Sequence, residues 1–359
     1  MDADLAGIWL SLIPGMGMRK KGMLLECCGT AEAVYGASHA ELAETPGLSE
    51  ANIRAVLDSR DLEEAKRIRD AALEKDIRVI TPADGDYPAL LKQIHDPPLV
   101  LYVSGTLPDD SLKKVGIIGS RYCSEYGRSV TRELSRKLAE RGIVIVSGMA
   151  RGIDSVAHKG AIEANGLTIA VLGCGADICY PPENTDLMKN IPAHGCLMTE
   201  FPPGTQPNPG NFPARNRIIS GLSNVLTVTE AAKRSGTLIT VNQALDQGRD
   251  VMAVPGSIRS KLSEGPNELI RDGAGMVTSY RDILHILNIS ERDCPQPNIQ
   301  EDLAPDEKLV YDCMTSQPES FENIVDKCGM SAQNVNYILT MLELKGYLLK
   351  MPGQRYTRA

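Results

Sequence analysis

The sequence predicts a doubly wound α/β fold flanked by two small helical modules, and three observations carry that prediction. Between residues 73 and 289, short β-rich runs alternate with helical patterns, the mark of a parallel sheet with crossover helices. Residues 1–72 instead show helical periodicity broken by Pro-Gly turns. Beyond residue 289 the chain turns acidic and proline-bearing before three further helical patterns.

The 359 residues exceed one ordinary core, and the 42% hydrophobic and 23% charged composition is that of a globular chain. No run reaches the roughly 18 apolar residues of a spanning helix, and Met1-Asp2-Ala3-Asp4 is acidic where a signal peptide is basic. A cytoplasmic protein with no membrane contact is expected. The nine cysteines and five histidines show neither paired CxxC nor HxxxH spacing, so no metal is expected.

Residues 1–72 read as a helical domain of SAM/helix-hairpin-helix-like type. Ile13-Pro14-Gly15-Met16-Gly17 and Thr45-Pro46-Gly47-Leu48-Ser49 each place glycine in a tight turn before an amphipathic run. Such turns either present N–H groups to a phosphate or simply connect packed helices.

In residues 73–289, Ile77–Thr81 and Leu99–Ser104 lead. Strands then follow at Val115–Ile118, Ile143–Val146, Thr168–Leu172, Leu197–Glu200, Asn224–Thr229, Val251–Val254 and Met276–Thr278, with helices such as Gly127–Arg141 and Thr237–Gln247 between them. Residues 290–302 suit a linker, holding Pro295 and Pro297 among acidic side chains. Residues 303–359 offer helices near Asp306–Met314, Phe321–Cys328 and Ser331–Lys345, then two strands at Tyr347–Lys350 and Gln354–Thr357, the plan of a winged helix.

In an open α/β sheet, ligands bind at the carboxyl ends of the strands. Four segments expected there as loops are cationic. Gly119-Ser120-Arg121 follows a strand, so its amides and the Ser120 hydroxyl can converge on an anion while Arg121 offers a bidentate phosphate contact. Ser147-Gly148-Met149-Ala150-Arg151-Gly152-Ile153-Asp154 repeats the device with Arg151. Phe212 to Ser220 brings Arg215 and Arg217 together around Asn216, and Lys233-Arg234 precede Ser235-Gly236-Thr237 at an expected helix start. Taken singly, Arg215 and Arg217 have a second reading, as braces for Glu200 or Glu230. As a group, four cationic segments on one edge of a chain of net charge -8 point to a polyanion.

Nothing in the pattern supplies a catalytic centre. No GxxxxGK[ST] occurs, and Gly173-Cys174-Gly175 has Ile178 where the dinucleotide fingerprint wants Gly or Ala. No Ser/His/Asp set or carboxylate pair stands out, so no enzyme and no cofactor are expected. Aromatic residues are 4%, too few for extensive base stacking, with Phe212 and Tyr122 beside the cationic segments.

Gly119-Ser120-Arg121, Ser147–Asp154, Phe212–Ser223, Ser235-Gly236-Thr237-Leu238-Ile239-Thr240 and Gly248–Gly256 together resemble the DNA-processing protein A (DprA/Smf) family, in order over about Asp84 to Asp282. The resemblance implies a non-catalytic, dimeric protein that binds and protects incoming single-stranded DNA and loads the recombinase RecA in natural transformation. It places Gly119, Ser120 and Arg121 in the family's phosphate loop, and the basic segments at Arg215, Arg217, Lys233 and Arg234 along the same groove. The winged helix departs from a duplex reader: Ser331–Lys345 offers Gln333, Asn334 and Asn336 but a single base, Lys345, which favours a protein contact or an auxiliary DNA contact. The enzyme alternative is a phosphoribohydrolase-like Rossmann hydrolase. Its PGGxGT string with a following glutamate is replaced here by Arg234-Ser235-Gly236-Thr237, with Val241 and Asn242 where the acid would stand.

Overall fold

The computed structural model describes residues 2–290, 303–314, 318–345, 347–351 and 353–358. The predicted linker, 290–302, lies outside the described residues except for Ser290. The chain divides into two compact units, Met1–Pro295 and Gln296–Ala359.

The first unit begins with helices α1 (Ala3–Leu12), α2 (Met18–Cys28), α3 (Ala31–Gly36), α4 (His39–Ala43), α5 (Glu50–Asp58) and α6 (Glu63–Glu74). Gly15 and Gly47 adopt positive φ in the two Pro-Gly turns, a conformation open to glycine at no steric cost. Lys20 Nζ donates to Asn52 Oδ1 at 2.7 Å and so ties α2 to α5. The core of this bundle, Ile8, Trp9, Leu24, Val34 and Val56 among others, continues into Leu99, Val100 and Tyr102 of the sheet region.

The sheet region then runs β1 (Arg78–Ile80), α7 (Ala89–Lys92), β2 (Leu101–Gly105), β3 (Lys114–Ile118), α8 (Glu125–Ala139), β4 (Val144–Ser147), α9 (Ile153–Glu163), β5 (Thr168–Val171), α10 (Thr185–Asn190), β6 (Gly195–Thr199), α11 (Asn211–Leu222), β7 (Val225–Val228), α12 (Gly236–Asp246), β8 (Asp250–Ala253), α13 (Glu264–Arg271), β9 (Gly275–Met276) and α14 (Tyr280–Ile286). The strand order is β1-β2-β6-β5-β4-β3-β7-β8-β9, parallel from β6 to β9, with β2 and β1 added antiparallel at one edge. Side chains alternate between two cores. Ile118, Val144 and Val146 pack towards α11 and α12 (Ile218, Leu222, Val241), whereas Val115, Ile117 and Ile145 pack towards α8, α9 and α14 (Leu134, Ala157, Ile283). Burial on both faces is what makes these strands near-continuous apolar runs, and it covers the sheet on both sides as a doubly wound fold requires.

One expected loop is a helix. The segment 212–220 lies within α11. Pro213, which suggests a break, sits in the first turn, where its missing N–H costs no helical hydrogen bond.

In the second unit, α15 (Pro305–Asp312), α16 (Phe321–Cys328) and α17 (Ala332–Leu344) surround Val310, Ile324, Val335 and Leu339. They pack with a sheet of order β10 (Glu319–Ser320), β12 (Arg355–Arg358), β11 (Leu348–Met351). This is a winged helix. The two-residue β10 carries no periodicity from which to read it. Lys345 pairs with Glu307 at 2.7 Å, while Gln333, Asn334 and Asn336 on α17 are exposed.

Candidate nucleic-acid interface

β3 sits between β4 and β7, and the chain winds outward from it in both directions. The segments after β3 and β7 therefore diverge at their carboxyl ends and leave a crevice at the topological switch point. A cavity of about 570 Å3 lies there, lined by Ser120, Arg121, Phe212, Asn216, Ser235 and Thr240 among others.

The loops around the crevice are pressed together by backbone. A Cβ on Gly152, whose φ is 75°, would fall on the Ser120 carbonyl oxygen, and one on Gly119 would lie 2.9 Å from the Glu230 carbonyl oxygen. These glycines thus let protein approach protein. The Ser120 amide is spent in the same way, donating to the Glu230 carbonyl at 2.7 Å, and the Ser120 hydroxyl accepts from the Tyr122 amide at 3.1 Å. Of the expected anion cradle of Gly119 and Ser120, the Ser120 amide is therefore spent, while the Ser120 hydroxyl keeps its own O–H to donate and lines the cavity with Gly119 and the exposed Arg121.

The N-terminus of α8 would be a natural phosphate seat, since its N–H groups and dipole favour an anion. It is already filled. Glu230, 2% exposed, accepts from the Ser124 amide at 2.8 Å and the Ser124 hydroxyl at 2.5 Å. Residue type and spacing alone do not reveal this role for Glu230, which braces a helix start and no arginine.

The remaining predicted residues separate into two groups. Ser147 is fully buried and donates to the Ile117 carbonyl at 2.6 Å, tying β4 to β3. Gly148 packs against the Arg215 guanidinium. Arg215 is itself a strut, 4% exposed, donating to the carbonyls of Gly148 (2.6 Å) and Val171 and, through Nε, to Asn216 Oδ1 at 3.1 Å. Burial pulls the Arg215 pKa down, an effect opposed by Asp154. Burial likewise pushes Asp154 up, against Arg215 and the amides of Ala150 and Gly148. Arg217 is committed to Glu200 at 2.5 Å and Asp96 at 3.0 Å and is 6% exposed, so the structure does not bring it to the crevice. Burial raises the Glu200 pKa, with Arg217 opposing.

Facing solvent are Arg121, Arg151, Lys233 and Arg234. Arg151 pairs with Glu183 at 2.7 Å and Lys233 with Glu268 at 3.3 Å. Among the described residues, Arg121 and Arg234 form no ion pair. Ser235 caps α12 with an extended backbone, and its hydroxyl has no hydrogen-bond partner among the described residues. Phe212 lies near two arginines, its ring centroid 5.5 Å from the Arg121 guanidinium carbon and 5.9 Å from that of Arg215. Tyr180 adds a second ring, 5.5 Å away and tilted by 33°. Its position after β5, on the same sheet edge, was the available signal for it. The cavity is thus lined by two aromatic rings, the buried Arg215 and the exposed Arg121, while Arg234 sits between the lining residues Ala232 and Ser235.

Fold and site define a Rossmann-like protein with a cationic switch-point crevice and a C-terminal winged helix. The model of DNA recombination-mediator protein A matches residues 78–288, and that of the DprA winged helix domain matches residues 295–354. Protein Smf of Synechocystis is 33% identical over 98% of both chains. The DNA processing protein DprA of Bacillus subtilis is 42% identical over 65% of this chain and 77% of its own. The solved DprA of Streptococcus pneumoniae superposes with a TM-score of 0.68 at 35% identity, covering 79% of this chain and 98% of its own. That of Helicobacter pylori, studied for its single-stranded DNA binding mode, gives 0.53 at 30% identity, with 61% and 98% covered. The chain belongs to the DNA recombination-mediator protein A (DprA/Smf) family, a family of DNA-processing proteins. None of its described helices is long and apolar enough to cross a membrane.

Proposed function

We propose that this chain binds single-stranded DNA in the switch-point crevice. Arg121 and Arg234 contact phosphates, and Phe212 with Tyr180 presents a face to a base. The observation that carries this reading is the exposed, unpaired Arg121 in a cavity that Phe212 and Tyr180 also line, with the exposed Arg234 between the lining residues Ala232 and Ser235. Phosphate contacts supply salt-sensitive affinity, and a few ring contacts add sequence-tolerant stacking. The arrangement suits a strand with exposed bases better than a duplex, whose bases are stacked inside. The family resemblance supports the wider role: a cytoplasmic homodimer, without catalytic activity, that protects incoming single strands and passes them to RecA during transformation.

Fluorescence anisotropy with labelled oligo-dT and a matched duplex, at two salt concentrations and without nucleotide, tests the binding step. Tighter binding of the single strand, weakening as salt rises, is the expected result. Equal or better binding of the duplex would refute it.

A further inference from the structure

The two flanks of the crevice differ in whether their exposed cations are paired. Towards β5 and β6, the cations are matched by carboxylates: Arg151 pairs with Glu183 at 2.7 Å and Lys75 with Asp177 at 2.5 Å. Towards β8 lies the loop Pro255–Leu262. It packs directly on the β7 segment: the Ala231 amide donates to the Leu262 carbonyl at 2.8 Å, and the Gly265 amide to the Ala231 carbonyl at 3.0 Å. Tyr126 Oη donates to the Pro255 carbonyl at 2.8 Å, fixing the loop's other end to the first turn of α8.

This pinned loop holds Arg259 and Lys261, both exposed and in no ion pair among the described residues, beside Ile258, which is 93% exposed. A large aliphatic side chain held in water on an anchored loop, flanked by unneutralised cations, has the make-up of a contact surface for a polyanion with flat apolar faces. Resting on the single-strand reading above, we infer that DNA leaving the crevice runs over the β8 loop, where Arg259 and Lys261 contact phosphates and Ile258 packs against a base. Arg121 and Arg234 mark the inner half of this track and the β8 loop its outer half.

The inference predicts a dependence on strand length. An oligo-dT of roughly six nucleotides fills the crevice alone, whereas one of roughly twenty reaches the loop. The double variant Arg259→Ala/Lys261→Ala keeps its affinity for the short oligomer and loses roughly tenfold for the long one at physiological salt. The slope of log K against log salt for the long one becomes shallower by about 1.4, or about 0.7 per lost single-strand phosphate contact. Ile258→Ala weakens the long oligomer with the slope unchanged, which separates its apolar contact from the charged ones. Unchanged slope and affinity for the double variant, or equal loss on both lengths, would overturn the outer track while leaving the crevice standing. If the unmodified protein binds neither oligomer, the crevice reading fails and this inference with it.

Discussion

A cleft of about 740 Å3 on the outer face of α8 and α9 is larger than the crevice, and the contrast between the two regions is instructive. The cleft is lined by Arg128, Arg132, Arg136 and Lys159, more basic residues than the crevice displays. Its arginines are neutralised, however, by Glu125 at 3.2 Å, Glu163 at 2.6 Å and Glu140 at 3.2 Å. In the crevice, Arg121 and Arg234 have no such partners among the described residues, and Arg121 lies 5.5 Å from the Phe212 ring centroid, with Tyr180 beside that ring. Pairing, rather than cavity size or the number of cations, decides which surface can take up phosphates, because a paired cation must lose its carboxylate before it gains a new anion.

Substitutions break this comparison at different points. The largest effect is expected from Gly152→Val, which puts a branched side chain onto the Ser120 carbonyl at positive φ and forces the two loops apart. A loss of about 3 kcal/mol or more in urea unfolding, with loss of DNA binding, should follow, while the outer cleft has no part in the change. Glu200→Gln tests the pairing argument from the opposite side, because it frees an arginine that is buried. Arg217 would lose its closest carboxylate at 7% side-chain exposure, costing about 3 kcal/mol of stability, and DNA affinity should not rise.

Between the two regions runs α9, whose inner face carries the fully buried His158, hydrogen-bonded through Nδ1 to the Thr168 hydroxyl at 2.7 Å. Burial, reinforced by Arg215, lowers its pKa to about 3 from an ordinary 6.5. The unfolded chain therefore takes up this proton first. The stability that His158 contributes as a neutral group is present above about pH 6.5 and is lost as pH falls from there towards about 3. Unfolding free energy should drop by about 2 kcal/mol between about pH 7 and about pH 5 relative to His158→Gln. Asp154 and Glu200, raised by burial, act with the opposite sign, losing stability as pH rises through their folded pKa values; both are present in the two proteins and cancel in the difference.

Much of this architecture is legible in the chain because parallel strands buried on both faces are continuous apolar runs, and β3, β4, β5 and β7 each fall on such a run. The edge at which α/β sheets generally take ligands follows from topology, which is why Arg121 and Arg234 could be placed there from the sequence. The divided fate of the basic residues could not. Arg217 reads like Arg121 until Asp96 and Glu200, distant in sequence, arrive beside it. Arg215 is distinguished by the carbonyls of Gly148 and Val171, which no residue-type pattern records. The Asn-Phe-Pro-Ala-Arg-Asn-Arg run reads as loop from its proline and polar residues, yet it opens α11 because tertiary packing of Ile218, Ile219 and Leu222 overrides that local signal. Glu230 was visible as a nearby acid, but its place at the start of α8 depends on a contact between residues 106 positions apart.

The most direct test of the central claim compares one arginine from each region. Arg121→Ala and Arg136→Ala are titrated with oligo-dT by fluorescence anisotropy across a range of salt, with circular dichroism confirming the fold. Loss of the unpaired Arg121 should weaken binding roughly tenfold, about 1.4 kcal/mol, and make the salt slope shallower by about 0.7, while loss of the paired Arg136 should leave affinity within roughly twofold. Unchanged affinity for Arg121→Ala, or an equal or larger loss for Arg136→Ala, would contradict the assignment of the crevice as the DNA site.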